Sequence, residues 1–258
     1  MKIIEKIRKQ SNESNSVLLN YAKLTANLKF ELEVSFFINL NELKVVKYID
    51  VPIKNIVSLG RNDHWDNETP TWNELINNWI VGLDWTDEVI DYFENEIGDK
   101  KFPALGASGN LRLESYGGLI TCANGNHRIV GAVCWLASKY GDNAVLKNVR
   151  VASFSFKNIF YELVDELSEN DEIYLFEHND EKKYIRIVNK LNNHIKYYEI
   201  TNNDELLSLG SIKTKYSFFK IINEYFLDKV LIKKNLKQYS FFEWKPINKQ
   251  YFEIMKKV

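Results

Sequence analysis

The densest set of chemistry-bearing residues is Tyr116-Gly117-Gly118-Leu119-Ile120-Thr121-Cys122-Ala123-Asn124-Gly125-Asn126-His127-Arg128-Ile129. A short apolar run enters a glycine-containing turn, and the turn delivers Asn126, His127 and Arg128 to the start of a long apolar-faced segment. If that segment is a helix, its first turn presents backbone N–H groups and a partial positive charge, which suits an anion. Gly125 lets a ligand approach the backbone closely. Arg128 can offer bidentate donors to phosphate oxygens, and His127 a further donor or a proton carrier. Together these are the parts of a phosphate cradle. The competing view is a plain solvated turn, because Asn-Gly is a common turn dipeptide.

Other candidates are thinner. Glu114, on the run leading into the turn, is the first choice for a carboxylate that holds Mg²⁺ or activates a nucleophile; Asp84, Asp87 and Glu88 are alternatives. Asp63 and His64 form a polar cluster in a loop. His178 and His194 have no partners at metal-ligand spacing. Cys122 and Cys134 are too few for a disulfide framework in 258 residues, and Cys122 reads as a small buried hydrophobe. Trp65, Trp72, Trp79 and Trp85 crowd one region, with Trp72 and Trp79 on one helical face. They are core, or else a stacking or partner surface. Near the C-terminus lysines interleave with Tyr216, Phe218, Phe219, Tyr239, Phe241, Phe242 and Trp244. That pattern suits nucleic acid, or packing against the acidic zone before it.

The elements that position these residues read as follows. Val17–Leu28 reads as a helix with Ser16 as its N-cap. Phe30–Leu40 alternates like a strand, and Leu43–Val51 is a second extended run. Thr71 and Glu74 form a capping box for a helix whose apolar face is Trp72, Leu75, Ile76, Trp79 and Ile80. A second helix runs from Thr86 to Ile97 and stops at Gly98. Phe102–Leu113 and Leu119–Cys122 read as strands, Asn126–Tyr140 as a helix ended by Gly141, and Val145–Phe156 as a strand. Glu172–Phe176, Lys183–Val188 and His194–Ile200 form a meander, and Phe218–Leu227 reads as a helix.

Composition bounds the classes. Hydrophobic residues are 45% and charged residues 27%, which excludes disordered and fibrous chains. The net charge of −1 gives no global pull toward nucleic acid or anionic membrane. That neutrality averages four zones, residues 1–30, 31–158, 159–212 and 213–258, which carry +4, −5, −7 and +7. No run approaches the ~18–20 apolar residues of a membrane span, and no secretory leader is evident. A cytoplasmic protein with no membrane partner is expected.

Residues 51–156 resemble the ParB/sulfiredoxin-like superfamily. Val51-Pro52-Ile53-Lys54-Asn55-Ile56 is similar to that family's first-strand motif. Gly125-Asn126-His127-Arg128 is similar to its Gly-x-His-Arg turn, and a helix and a valine-rich strand follow. The resemblance implies an α+β, mixed-sheet nucleotide-binding domain over 49–158. A helix and strand arm over 1–48 would precede it, and a smaller α+β extension over 159–258 would follow. It implies phosphate contacts from Gly125, Asn126, His127 and Arg128, with Arg61 as a further arginine. It also implies Mg²⁺ with a nucleoside triphosphate, ATP or CTP. Asn126 stands where sulfiredoxin keeps its reactive cysteine, so sulfinic-acid reduction is not expected. No second nucleotide motif or helix-turn-helix follows, so chromosome partition is not expected either. The leading expectation is an NTP-binding protein that hydrolyses the nucleotide or transfers its phosphate, with His127 and Glu114 as catalytic candidates. The alternatives are a nuclease or DNA-binding factor using residues 213–258, and a non-catalytic interaction module of a mobile element. A homodimer is a further expectation.

Overall fold

In the computed structural model, residues 2–26, 34–39, 42, 45–60, 69–82, 84–178, 182–203, 205–213, 244–247 and 249–255 are described. They form an α+β protein that divides into two compact units, Met1–Ser155 and Phe156–Lys256.

The first unit opens with helix α1 (Ile3–Asn12), which turns Ile3, Ile4, Ile7 and Ser11 inward. This helix was not among the expected elements, and Lys2 at its N-cap makes no side-chain cap. Helix α2 covers only Val17–Tyr21, capped by Ser16, whose hydroxyl accepts from the Leu19 amide. The helix expected to reach Leu28 ends early, and strand β1 (Thr25–Ala26) follows. The strand expected over Phe30–Leu40 is also corrected. The chain turns at Val34–Phe37, where the Phe37 amide bonds the Val34 carbonyl at 2.9 Å, and only β2 (Ile38–Asn39) is extended. Residues 27–33 lie outside the described set.

Strand β3 (Val45–Pro52) leads through a short 3-10 turn (Ile53–Asn55) into β4 (Ile56–Leu59). Helix α3 (Trp72–Asn78) begins at the expected capping box. Thr71 Oγ1 accepts from the Glu74 amide, and Glu74 accepts from the Thr71 amide at 2.6 Å. A cap of this kind contributes about 1 kcal/mol. Helix α4 is Glu88–Glu94 and ends at Asn95 rather than at Gly98. Residues 102–111, expected to be extended, are a loop instead. Gly106 and Gly109 sit at φ +73° and +66° there, outside strand geometry, and β5 begins only at Arg112 (Arg112–Tyr116).

Strand β6 (Leu119–Asn124), helix α5 (Asn126–Tyr140) and strand β7 (Val145–Phe156) complete the unit. The strands form one mixed sheet in the order β1-β4-β6-β5-β7-β2, with β3 also on β7. The neighbours β1, β4 and β6 are parallel, β5 is antiparallel to β6, and β7 is parallel to β5. Helix α5 is the spine of the core. Ile129, Val130, Val133 and Leu136 pack with Ile4 and Ile7 of α1, Leu75 and Ile76 of α3, Phe93 of α4, and Leu113, Cys122 and Val151 of the sheet. Ile3, Ile4, Ile7, Leu18, Leu19 and Leu24 therefore contribute to the same core as the sheet.

Both cysteines are free and buried. Burial pushes the Cys122 thiol up to about 12, against a smaller opposing pull from Arg128, and pushes Cys134 to about 12 as well. Both therefore stay protonated well above neutral pH. Neither should react with iodoacetamide at pH 8 in the folded chain, and both should react once the chain is denatured. Rapid labelling of the folded protein would contradict this burial.

The second unit has helix α6 (Asn158–Glu166) and an antiparallel sheet in the order β11-β10-β9-β8-β12. Its strands are β8 (Asp171–His178), β9 (Lys182–Asn189), β10 (His194–Ile200), β11 (Leu206–Lys213) and β12 (Lys245–Pro246), and helix α7 (Lys249–Met255) closes it. The expected meander is there, with β11 as a strand the sequence reading did not place. Trp244, one aromatic of the basic zone, packs within this unit. Its ring centroid is 6.2 Å from Tyr197, and the Arg186 guanidinium carbon lies 4.9 Å from the Trp244 ring. The helix expected over Phe218–Leu227, and Tyr216, Phe218, Phe219, Tyr239, Phe241 and Phe242, lie outside the described residues. Among the described residues no helix is long and apolar enough to cross a membrane.

Candidate functional site

The parallel strands β4 and β6 end side by side, with Leu59 opposite Cys122. Space beyond the carboxyl ends of neighbouring parallel strands is where open sheets with helical crossovers collect ligands. Here β6 runs into Gly125, which takes a left-handed conformation at φ +99° and ψ +34° and starts α5 at Asn126. A side chain at 125 would be strained by that φ, and its Cβ would stand 2.9 Å from Leu111 Cδ1. Gly125 has no side chain, so the start of α5 carries no side-chain cap.

A second glycine completes the approach. Gly60, directly after β4, donates its amide to the Cys122 carbonyl at 2.8 Å and to Asn126 Oδ1 at 3.2 Å. A Cβ on Gly60 would fall 2.5 Å from the Cys122 carbonyl oxygen, a backbone atom that cannot step aside. The sequence reading did not single out Gly60. The available signal was a glycine directly after the apolar run Ile56–Leu59.

Arg128 is only 7% exposed. Its Nη1 donates to the Gly109 carbonyl and its Nη2 to the Ser108 carbonyl, both at 2.9 Å. Its guanidinium carbon lies 5.1 Å from the centroid of the Phe102 ring. Among the described residues no carboxylate pairs with it, so two carbonyl dipoles and a ring face solvate the charge but do not neutralise it. Buried charges are ordinarily paired, and here the helix-start partial charge adds to the same sign. Tyr92 packs against this cluster, its ring 5.2 Å from Phe102. Burial pushes its hydroxyl up, with Arg128 pulling the other way.

The expected site residues separate into three groups. Gly125, Asn126, His127 and Arg128 are brought together at the α5 start. Asn126 is buried and bonded to Gly60, while His127 is exposed. Glu114 is not brought to them. Alternation along β5 sends Leu113 into the core beneath α5 and puts Glu114 on the opposite face. There the Tyr116 hydroxyl donates to Glu114 Oε2 at 3.0 Å, and the Tyr116 ring stacks on Phe154 at 4.6 Å. Arg61, Asp63, His64 and Trp65 lie outside the described residues, which resume after Gly60 at residue 69. Asp84, Asp87 and Glu88 are exposed on the approach to α4.

Of the tryptophans, Trp72 is wholly buried and Trp79 is 43% exposed, so the expected shared face splits between core and surface. Among the described residues no group of three or more His, Cys, Asp or Glu is arranged to hold a metal ion. The residues at the turn fit a phosphate, with amides, glycines and a nearby cation, but offer Mg²⁺ no described carboxylate. No family model, curated protein or solved structure matches the chain.

Proposed function

We propose that the first unit is a nucleotide-phosphate-binding domain whose anion site is the Gly125–Arg128 turn at the start of α5. The observation that carries this reading is the start of α5, where Gly125 turns the chain with no side-chain cap and the buried Arg128 guanidinium holds the neighbouring loop. That start is flanked by two glycines, Gly60 and Gly125, that no other residue could replace without strain or clash. The helix start supplies partial positive charge and the glycines supply backbone access at one place.

The order of elements supports the finer ParB/sulfiredoxin-like assignment. β3 ends at Pro52, a 3-10 turn leads to β4, two helices precede the β5–β6 pair, and the glycine turn feeds α5 and β7. On that assignment the ligand is a nucleoside triphosphate with Mg²⁺, ATP or CTP, the metal carried by the phosphates. The exposure of His127 at the helix start supports it as a ligand contact. The role is binding, because Glu114, the carboxylate expected to act in hydrolysis or transfer, stands on the far face of the sheet.

The test is thermal stability with ATP, CTP, GTP and UTP, each with Mg²⁺. A ligand at one hundred times its dissociation constant should add about 2.7 kcal/mol. His127→Ala should reduce the shift measured from its own unliganded midpoint. The absence of a shift with every nucleotide and with pyrophosphate would remove the proposal.

A further inference from the structure

We infer that Arg128 serves this site as a positioning residue. It fixes the loop between Phe102 and Leu111 against the start of α5, and the ligand is held by the turn rather than by the guanidinium. The inference rests on the anion-binding reading above. Two of the fork's donors are committed to the Ser108 and Gly109 carbonyls at 2.9 Å, and the Phe102 ring covers a face of the guanidinium at 5.1 Å.

The loop is fastened at two further points, one beside the turn and one before α4. Asn124 Nδ2 donates to the Asn110 carbonyl at 2.7 Å, and a Cβ on Gly109 would lie 3.2 Å from that same Asn124 nitrogen. At its other end the Pro103 carbonyl accepts from the Thr86 amide at 3.3 Å and from Thr86 Oγ1 at 3.1 Å. Between these anchors lie Leu105, 82% exposed, and Gly106, where a Cβ would meet nothing. The middle of the loop therefore has little packing of its own, and Arg128 is the side chain that joins its C-terminal half to the helix.

A planar fork can bond two successive carbonyls at once, which a lysine ammonium on a flexible stem does not reproduce. Charge and positioning can therefore be separated by comparing Arg128→Lys with Arg128→Gln. Hydrogen exchange over residues 104–110 reads the loop. Affinity for Mg-ATP and for pyrophosphate, measured where every variant is fully folded, reads the site.

If Arg128 positions the loop, both variants speed loop exchange at least tenfold, and both lose affinity for the two ligands by similar factors. If it acts through charge on the ligand, Arg128→Lys binds as wild type while Arg128→Gln does not, and the inference is overturned. It is likewise overturned if the loop loosens in both variants and affinity does not change. If the wild-type chain binds neither Mg-ATP nor pyrophosphate, the anion-site reading falls and takes this inference with it. That result is distinct, because it is seen without any variant.

Discussion

Trp72→Ala is expected to destabilise the first unit by about 3–5 kcal/mol. Trp72 is fully buried at the first position of α3 and belongs to the core that α5 organises. Its backbone carbonyl faces Cys134 of α5, whose Sγ lies 3.6 Å away. Removing the indole leaves a cavity between α3 and α5 that a well-packed core fills only partly. The Trp72 Nε1 donor is buried and has no acceptor among the described residues. Burying such a group costs about 1–3 kcal/mol, so Trp72→Phe removes a penalty along with the ring volume. It should cost clearly less than Trp72→Ala. Urea denaturation of the two variants checks this. Equal losses would mean that the indole N–H is satisfied in solution.

Gly131→Ala is the second large effect, and it connects packing to the site. Gly131 lies in the second turn of α5, and a Cβ there would fall 2.5 Å from Trp85 Cη2 and 2.7 Å from Cζ3. Both atoms belong to a rigid ring. Trp85 stands edge-on to Phe93 at 6.0 Å and to Phe102 at 5.4 Å, so a retreat disturbs its packing on those rings. Overpacking of this kind costs about 1–3 kcal/mol, and each kcal/mol lowers the midpoint of a domain this size by about 2–4 °C. Alanine's better helix propensity offsets at most about 1 kcal/mol of that. Because Phe102 is also the ring beneath Arg128, the loss should be accompanied by faster exchange at residues 104–110. A variant as stable as wild type would show that Trp85 has room to move.

The parts legible in the sequence were those with local signals. Helix α5 runs from Asn126 to Tyr140 as expected because Gly125 and Gly141 punctuate it, and β7 keeps its Val145–Phe156 limits because its apolar residues alternate. The capping box at Thr71 and Glu74 is a contact between near neighbours, so the sequence displays it. The failures fall where the deciding contact is distant or the pattern ambiguous. Phe102–Leu113 has apolar ends that suggest a strand, yet two glycines at positive φ make most of it a loop.

The site was legible in part for the same reason. The Gly-Asn-His-Arg turn announced itself. The partners of Arg128 are backbone carbonyls 19 and 20 residues upstream, and a backbone carbonyl leaves no mark on sequence. Gly60 matters because of the Cys122 carbonyl on a neighbouring strand, which only the parallel β4–β6 pairing brings near. Glu114 was placed by its nearness in sequence to the turn, whereas strand alternation assigns it to the other face.

The most direct measurement of the central claim is hydrogen exchange across the chain with and without saturating Mg-ATP, repeated with Mg-CTP and with pyrophosphate. The proposal predicts slowed exchange in the peptide spanning Ala123 to Ile129 with at least one of these ligands, with the strongest protection at the start of α5. Protection confined to other segments, or no protection with any of them, would contradict it.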